Sequence, residues 1–354
     1  MNDEPRGLSY RDAGVNIDAG TEAVRAIRDI VKKTFDENVL QDIGSFGAMY
    51  RFDPSGMEEP VLVSSVDSVG TKVKIAFMMK KHDTVGIDIV SHSVNDILVQ
   101  GARPLFFLDY LGCGVLDPAV IVEVIRGVAT GCRYAGCALI GGEMAEMPSI
   151  YHEGEYDLAG TIVGVVDRKN IVDGSSVEAG DVVIGIPSSG LHTNGYSLAR
   201  KVCFEVAGLT CDDPMPGTGR SVGEELMEPH RSYSKLIQLL MRIVKVKGMA
   251  HITGGGITDN LPRSIPDGLG AEIDLGTWCV PPVFTFLKKA GNIAELEMLR
   301  TFNMGIGYLV IVSEAEAEKA LDGLCQTGEQ PVRVGRVVAG ANEVRYVGKL
   351  RYAE

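Results

Sequence analysis

The sequence has few of the residues that staple secreted domains together or that bind nucleic acid. It contains seven cysteines and one tryptophan in 354 residues. No two cysteines form a C-x-x-C pair, which argues against a disulfide framework and against a paired-cysteine zinc site. Asp and Glu outnumber Lys and Arg by 47 to 34, and the resulting net charge of −13 excludes a basic surface for nucleic acid.

Long apolar runs and targeting signals are also missing. The first six residues include Asp3, Glu4 and Arg6, and no apolar segment follows them, which argues against a signal peptide. Apolar runs such as 308–312 are far too short to cross a bilayer. We therefore expect a cytoplasmic protein that makes no contact with a membrane.

The common nucleotide and hydrolase motifs are absent as well. The sequence contains no G-x-x-x-x-G-K-[ST], no dinucleotide fingerprint after a strand, no H-E-x-x-H and no G-x-S-x-G, which excludes these as primary interpretations. Glycine, by contrast, accounts for 43 of the 354 residues, well above the usual share of about 7%. Because no repeat period organises these glycines, they indicate glycine-rich loops within a folded enzyme.

Short β-branched runs alternate with amphipathic helical patterns, which predicts α/β architecture. In the first half, strands are predicted over 61–66, 105–111, 138–140 and 157–166, and helices over 21–33, 87–98 and 118–134. In the second half, strands are predicted over 182–186, 308–312 and 332–338, and helices over 232–246 and 314–325. The polar, turn-rich segment 167–180 predicts a boundary between two mixed α/β domains, residues 1–170 and 171–354.

The first candidate site follows the predicted strand 61–66. Asp67 comes directly after this strand, and Gly70, Thr71 and Lys72 follow closely. A carboxylate, a flexible backbone, a hydroxyl and an ammonium within six residues are the groups that a metal-bound polyphosphate needs. A solvated turn at the end of a strand explains the same residues equally well.

A second acidic candidate is Asp96, which follows Asn95 on the predicted helix 87–98. Asp88 and His92 lie on the same helical face, opposite the apolar stripe. For any one of these residues a solvated helical surface is the simpler interpretation.

Glu143 is a third acidic candidate, because it follows two glycines at the end of the strand predicted over 138–140. Paired glycines before an acid allow the backbone to approach a ligand closely. A simple tight turn is the alternative for Gly141 and Gly142.

Two loops of the second half combine glycine with hydroxyl groups ahead of predicted helices. Free backbone N–H groups and the positive end of a helix make such loops suitable for an anion, although ordinary helix capping is the alternative. The residues are Ser188, Ser189, Gly190, His192, Asn194 and Gly195 in the first loop, and Thr253, Gly254, Gly255 and Gly256 in the second. Together the two loops favour a phosphorylated substrate.

Motifs along almost the whole chain resemble the phosphoribosylformylglycinamidine cyclo-ligase (aminoimidazole ribonucleotide synthetase) family of purine biosynthesis. Several of these motifs are long and ordered, so the resemblance is specific. They cover residues 8–15, 17–20, 67–72, 94–96, 100–102, 104–110, 141–143, 145–148, 188–198, 251–256 and 300–303. Two residues depart from the family pattern: Ser68 replaces a usual glycine and Met144 a usual threonine.

The resemblance implies a two-domain α/β subunit that forms a homodimer through strands of its N-terminal domain and uses ATP and Mg²⁺. It implies Asp67 and Asp96 as metal ligands, and Glu143 is the third candidate. The implied nucleotide-binding residues are Asp67, Gly70, Thr71, Lys72, Asn95, Gly141, Gly142 and Glu143. Lys72, Asp96 and His192 are the implied catalytic residues.

The implied reaction closes the imidazole ring of 5-aminoimidazole ribonucleotide from formylglycinamidine ribonucleotide, with release of ADP and phosphate. Such a reaction needs the substrate held in place, charge neutralised and a proton moved. His192 either moves the proton or binds the substrate phosphate, and the sequence leaves both roles open. A non-catalytic nucleotide-binding dimer and another ATP-dependent member of the superfamily are the alternative functions.

Overall fold

The computed structural model describes residues 7–353. The charged hexapeptide 1–6, on which the argument against a signal peptide rests, lies outside this range, as does Glu354. The described chain contains two mixed sheets with helices, which confirms the predicted α/β class. No helix in the described part of the chain has the length and apolar character needed to span a membrane.

The N-terminal half contains one four-stranded sheet and four helices. Its strands are β1 (Pro60–Ser68), β2 (Arg103–Cys113), β3 (Ala138–Glu146) and β4 (Tyr156–Asp167). Its helices are α1 (Ile17–Lys32), α2 (Val73–Met79), α3 (Asp83–Leu98) and α4 (Pro118–Ala135). Short 3-10 turns cover Arg11–Ala13, Gly70–Lys72 and Arg168–Asn170.

The strand order in this sheet is β1-β4-β2-β3, so β1 and β3 are its two edges. Only β2 and β3 run parallel to each other. One face of the sheet packs on α3 and α4. The other face exposes 63% of Leu62 and 67% of Val66 beside the half-buried Phe106, Leu108 and Tyr110, and it is covered in part where Tyr50 packs on Phe106.

The C-terminal half contains a six-stranded sheet of order β11-β7-β10-β5-β9-β6 and a two-stranded ribbon of β8 and β12. Its strands are β5 (Val182–Pro187), β6 (Gly248–His251), β7 (Leu269–Asp274), β8 (Cys279–Val280), β9 (Ile306–Val312), β10 (Val332–Ala339), β11 (Val344–Val347) and β12 (Arg351–Tyr352). Its helices are α5 (Tyr196–Arg200), α6 (Val222–Leu226), α7 (Ser234–Ile243), α8 (Gly256–Asn260), α9 (Pro282–Ala290), α10 (Glu295–Thr301) and α11 (Glu314–Cys325). A π-helix, Lys201–Val206, continues α5.

The first helix begins four residues before the predicted Thr21. The side chain of Asn16, rather than that of Thr21, caps it by accepting a hydrogen bond from the Ala19 backbone N–H. The buried stripe therefore starts at Ala19 and continues through Ala23. The prediction missed this start because the Asp-rich and Gly-rich segment before Thr21 was interpreted as a loop.

Helix α3 is buried on all sides, which the sequence did not predict. Its apolar stripe packs on the first sheet, while Asp88, His92 and Asn95 on the other side are buried against the C-terminal half. The solvated face considered for these residues is therefore wrong. Because α3 joins the two halves, its polar residues are placed where a site between them can form.

Candidate functional site

A cavity of about 320 Å³ lies between the two halves of the chain, next to edge strand β1. Helix α3 supplies His92 and Asp96 to this cavity, and β1 supplies Asp67. The C-terminal half supplies His251, at the end of β6, and Thr253. The cavity thus combines two predicted metal ligands with the start of a predicted phosphate loop.

The two aspartates of the cavity share polar neighbours. The Ser65 hydroxyl lies 3.2 Å from Asp96 Oδ2 and 3.5 Å from Asp67 Oδ2, and it can donate to either. His251 Nδ1 lies 2.8 Å from Asp96 Oδ1, and His92 Nε2 lies 3.5 Å from Asp67 Oδ1. Each carboxylate therefore has an imidazole near one oxygen and Ser65 near the other.

A chain of side-chain contacts connects these two imidazoles behind the cavity. His92 Nδ1 lies 2.6 Å from Thr193 Oγ1, which lies 3.2 Å from His230 Nδ1. His230 Nε2 in turn lies 3.0 Å from His251 Nε2. All four residues are buried, so one polar network passes between the two halves and ends at the two aspartates.

Burial and neighbouring charges set the pKa values in this network. Burial raises the pKa of Asp67 to about 7, and the nearby Asp96 adds to the increase. Burial also opposes ionisation of Asp96, but the hydrogen bond and charge of His251 lower the pKa of Asp96 below its usual value. Burial lowers the pKa of His92 to about 4. At neutral pH Asp96 is therefore ionised, whereas Asp67 is only partly so.

Asp67→Asn is expected to raise the free energy of unfolding more at pH 7.5 than at pH 4.5. The folded-state pKa of Asp67, about 7, lies above the value of about 3.9 for an unfolded chain. Between these values the folded state holds a proton that the unfolded state has lost, so the folded state loses stability as pH rises. The Asp67 side chain is 30% exposed, and solvent screening therefore reduces the effect. We expect Asp67→Asn to raise the free energy of unfolding by only about 1–2 kcal/mol more at pH 7.5 than at pH 4.5.

Urea denaturation of the metal-free protein at the two pH values measures this difference. Asp212→Asn is the matched control, because Asp212 is exposed in a loop of the C-terminal half. The same stability change for Asp67→Asn at both pH values would contradict the raised pKa.

The donor set of the cavity fits a magnesium ion. Asp67 and Asp96 present carboxylate oxygens beside the Ser65 hydroxyl, and hard oxygen donors are what Mg²⁺ prefers. Among the described residues, neither carboxylate forms an ion pair with lysine or arginine. Their charge is therefore available to a cation.

Glu143, the third predicted metal ligand, lies elsewhere. Gly141, Gly142 and Glu143 belong to β3 rather than to a loop after it, and they line a second cavity of about 810 Å³ together with residues 42–50. Asp67 and Gly142 are aligned across the sheet through successive paired residues and lie three strands apart. Three strand spacings correspond to a backbone separation of about 14 Å. Within one chain, Glu143 therefore does not meet the two aspartates.

Gly70, Thr71 and Lys72 form a turn that docks on the C-terminal half. Thr71 Oγ1 lies 3.1 Å from Ser197 Oγ. The Lys72 side chain is fully buried and its ammonium contacts Asp88. This burial does not favour the predicted contact with a phosphate, so the nucleotide-binding assignment of the three residues stays a prediction.

Asn95, also predicted to bind the nucleotide, is fully buried. Its Oδ1 accepts a hydrogen bond from the Tyr233 backbone N–H at 2.9 Å, and its Nδ2 donates to Arg231 O at 2.8 Å. It lines neither of the two cavities. In this structure Asn95 therefore fixes α3 against the C-terminal half.

The two predicted phosphate loops lie next to each other. A Cβ atom on Gly254 would lie 3.5 Å from Asn194 Oδ1. Helices α5 and α8, which follow the loops, span only five residues each. A helix dipole is therefore weak at α8, and an anion there depends on individual N–H groups and side chains, whereas the π-helix Lys201–Val206 lengthens the helical segment that follows the first loop.

At two positions of these loops the packing of the protein itself requires glycine. Gly195 has a φ of +77°, and a Cβ there would lie 2.3 Å from the Phe302 ring. Gly256 has a φ of +60°, and a Cβ there would lie 1.9 Å from Leu299 O. Both loops therefore pack tightly on the end of α10, and this packing explains the two glycines without a ligand.

His192 lies in the interior beneath the first loop, with 1% of its surface exposed. Its Nε2 lies 3.3 Å from the Ser189 backbone N–H, and its ring stacks on His230 at 4.0 Å. Its Nδ1 has no hydrogen-bond partner among the described residues. Burial lowers the pKa of His192 well below its usual value, so its imidazole is neutral.

Sequence reasoning missed four residues of these sites, and it gave Ser65 no role. His251 was noted only as the start of a motif, and His230 and Asp109 were given no role. Asp109 is buried in the larger cavity, where burial raises its pKa to about 7, and Gly142 leaves room for it because a Cβ there would lie 2.4 Å from Asp109 Oδ1. The signal in the sequence that His251 belongs to a site was its position two residues before the predicted phosphate loop 253–256.

Comparisons with known proteins agree with this architecture. The family model described as AIR synthase related protein, N-terminal domain, matches residues 46–166, and the corresponding C-terminal domain matches residues 178–348. A phosphoribosylformylglycinamidine cyclo-ligase of Nitratidesulfovibrio vulgaris is 54% identical, covering 94% of this chain and 95% of the relative. One of Burkholderia pseudomallei is also 54% identical, covering 95% of both chains.

Solved structures support the same fold at lower identity. Thiamine-monophosphate kinase from Stenotrophomonas maltophilia aligns with a TM-score of 0.66 at 17% identity, covering 92% of this chain and 96% of the other. Hydrogenase maturation protein HypE in complex with ATP aligns with a TM-score of 0.63 at 20% identity, covering 91% and 90%. The solved structures show the fold alone, whereas the family models and the sequence relatives show that the chain belongs to the AIR synthase related family and, within it, to the phosphoribosylformylglycinamidine cyclo-ligases.

Proposed function

We propose that the chain is a cytoplasmic enzyme that converts formylglycinamidine ribonucleotide and ATP into 5-aminoimidazole ribonucleotide, ADP and phosphate. The observation that carries this proposal is the 54% identity to named cyclo-ligases over 94% of the chain. The cavity with Asp67 and Asp96 supplies the charged groups that the reaction needs. The alternative of a non-catalytic nucleotide-binding dimer explains neither these two carboxylates nor their position in a cavity.

Phosphoryl transfer from ATP to the formyl oxygen of the substrate is assigned to the smaller cavity. Such transfer depends on positioning and on neutralising charge rather than on a covalent contribution from the protein. Asp67 and Asp96 would hold Mg²⁺, which neutralises the charge of the phosphates when bound. Ser65 and His251 fix the orientation of the carboxylates.

Ring closure follows in the same place. The amidine nitrogen attacks the formyl carbon, the bond from this carbon to the phosphorylated oxygen breaks, phosphate leaves, and the nitrogen loses a proton. Holding the two ends of one molecule together accelerates such a step. We assign the substrate phosphate to the loops 188–195 and 253–256, because Thr253 lines the cavity and Asn194 lies beside Gly254.

The adenosine of ATP is assigned to the larger cavity beside Gly141, Gly142 and Glu143. Its volume of about 810 Å³ lies within the range of sites for molecules of this size. Apolar side chains such as Ile27 and Leu139 line it together with the carboxyl groups of Asp42, Asp109 and Glu143. The assignment leaves Glu143 in a different cavity from Asp67, and dimerisation can resolve this separation.

We propose a homodimer in which the partly exposed apolar faces of two N-terminal sheets pack on each other. These faces expose Leu62 and Val66, and contiguous apolar surface of this kind marks an interface. With the two-fold axis parallel to the strands, the β1 edge of one protomer lies opposite the β3 edge of its partner. The Asp67 cavity of one protomer then meets the Glu143 cavity of the other, as an isologous dimer allows.

Mixing two inactive variants tests the shared site. Asp67→Asn and Glu143→Gln are each expected to inactivate the homodimer. A heterodimer of the two carries both changes in one site and neither in the other, so we expect mixed dimers to recover close to half of wild-type activity. Co-expression with two affinity tags isolates the heterodimer for the assay.

The control is a heterodimer of Asp67→Asn and Asp96→Asn. Both of these residues belong to the same cavity, so each of its two sites carries one change and no activity should return. If the Asp67→Asn and Glu143→Gln heterodimer is as inactive as this control, each site lies within one protomer.

The proposed reaction is tested by following ADP and the imidazole product together. Purified protein is mixed with Mg²⁺, ATP and formylglycinamidine ribonucleotide. Equal amounts of both products support the proposal, and ADP without imidazole indicates another ATP-dependent substrate. ATP binding without either product would favour the non-catalytic dimer.

A further inference from the structure

A fully buried ion pair joins the two halves of the chain beneath the phosphate loops. Lys72 lies in the turn before α2 and Asp88 lies in α3, and neither side chain is exposed at all. Lys72 Nζ is 2.9 Å from both carboxylate oxygens of Asp88. Both residues belong to the N-terminal half, whereas their other hydrogen-bond partners belong to the C-terminal half.

The remaining contacts of the pair are with the backbone of the C-terminal half. Lys72 Nζ donates to His192 O at 3.2 Å and to Glu228 O at 2.7 Å. Asp88 Oδ1 accepts the backbone N–H of His230 at 2.6 Å. The three protons of the ammonium are therefore all used, and two C-terminal segments are attached to a single pair.

One of these contacts lies at an unusual backbone conformation. His192 has a φ of +62°, in the left-handed region that costs a non-glycine residue about 1–2 kcal/mol. The carbonyl held by Lys72 belongs to this residue. The conformation of the loop 188–195 at its central residue therefore depends on a side chain from the other half.

Stability alone does not account for the pair. Burying two charges costs about as much desolvation free energy as their attraction returns, and an apolar pair of similar volume is often equally stable. The lysine also supplies what an apolar side chain cannot, namely directed hydrogen bonds to two carbonyl oxygens. The pair therefore selects one arrangement of the loop rather than simply adding stability.

We propose that Lys72 and Asp88 are positioning residues that hold the loop 188–195 in the conformation that binds the phosphate of the substrate. The inference rests on the proposed function, because it takes this loop as part of the substrate site. It gives Lys72 a role through the loop rather than through direct contact with ATP. The N-terminal half thereby controls substrate affinity in the C-terminal half.

The test uses Lys72→Met/Asp88→Asn, which removes both charges together. Asn at 88 keeps an acceptor for the His230 N–H, while the hydrogen bonds to the two carbonyls are lost. We expect KM for formylglycinamidine ribonucleotide, and Ki for ribose 5-phosphate as a competitor, to rise at least tenfold. The Kd for ATP measured by calorimetry without substrate should change less than twofold.

Lys74→Met/Glu155→Gln is the matched control, since it removes a partly exposed ion pair two residues further along the chain and should change none of these constants. If the Lys72→Met/Asp88→Asn protein is insoluble, Lys72→Gln replaces it with an expected rise of threefold or more in KM and Ki. Unchanged KM and Ki, or an equal loss of ATP and substrate affinity, would overturn the inference. Absence of ring closure in the wild type would instead overturn the proposed function.

Discussion

Asp96→Asn is expected to reduce turnover by about 10³-fold, the upper part of the range for losing one group that stabilises transition-state charge. The replacement has the same shape, and its amide oxygen can still accept a hydrogen bond from His251 Nδ1, which lies 2.8 Å away in the wild type. What it removes is the one carboxylate of the cavity that is firmly ionised at neutral pH. The metal would then be held by Asp67 alone.

The loss should affect ADP formation and the imidazole product equally, because phosphoryl transfer comes before ring closure. Asp212→Asn should retain wild-type rates, and circular dichroism should show both variants to be folded. Full activity in Asp96→Asn and in Asp67→Asn would rule out these two residues as the metal site.

Local sequence patterns were sufficient to predict most secondary structure and to name Asp67 and Asp96 as candidates, and the family resemblance gave these two residues their predicted role as metal ligands. Strands and helices with regular periodicity, such as α11 (Glu314–Cys325) and β4, were predicted within a residue or two. Asp67 and Asp96 were both chosen, and the structure places them around one hydroxyl group. In these cases the signal lies within a few neighbouring residues.

Contacts between the two halves could not be predicted in this way. The face of α3 that carries Asp88 and His92 has a polar composition, and polar faces are usually solvated. It is buried because a second domain, more than 90 residues away in sequence, covers it with His192, Thr193 and His230. Periodicity identifies the apolar face of a helix that packs on the neighbouring sheet. It contains no information about a partner that is distant in sequence and covers the polar face.

Lys72 shows the same limit for a single residue. Its neighbours Gly70 and Thr71 form a pattern typical of a phosphate loop, and local chemistry left a phosphate contact and a solvated turn equally open. In the fold, Asp88 and two carbonyl groups from the other half surround the ammonium. Glu143 is the opposite case, because it lies three strands away from Asp67 within one chain, so the three predicted metal ligands do not meet there.

The second large effect is expected for His192→Ala, which should lower kcat/KM by about 10²-fold or more. The sequence left open whether His192 moves a proton or binds an oxygen. Its Nε2 faces the Ser189 N–H and therefore acts as the acceptor, which leaves the hydrogen on Nδ1. Nδ1 has no partner in the described chain, and the lowered pKa makes the ring a poor proton acceptor near pH 7. These observations favour a neutral imidazole that donates from Nδ1 over one that takes up a proton.

The pH dependence of kcat separates the two roles. A donor role predicts the same pH profile for His192→Ala as for the wild type at a lower rate, whereas a proton-transfer role predicts that one limb of the profile disappears. His192→Asn should recover part of the loss, because asparagine tolerates the left-handed backbone and carries an N–H donor. His152→Ala, at an exposed histidine, should match the wild type. Wild-type kinetics for His192→Ala would exclude both roles, and a lost limb would show that the ring takes the proton despite its burial.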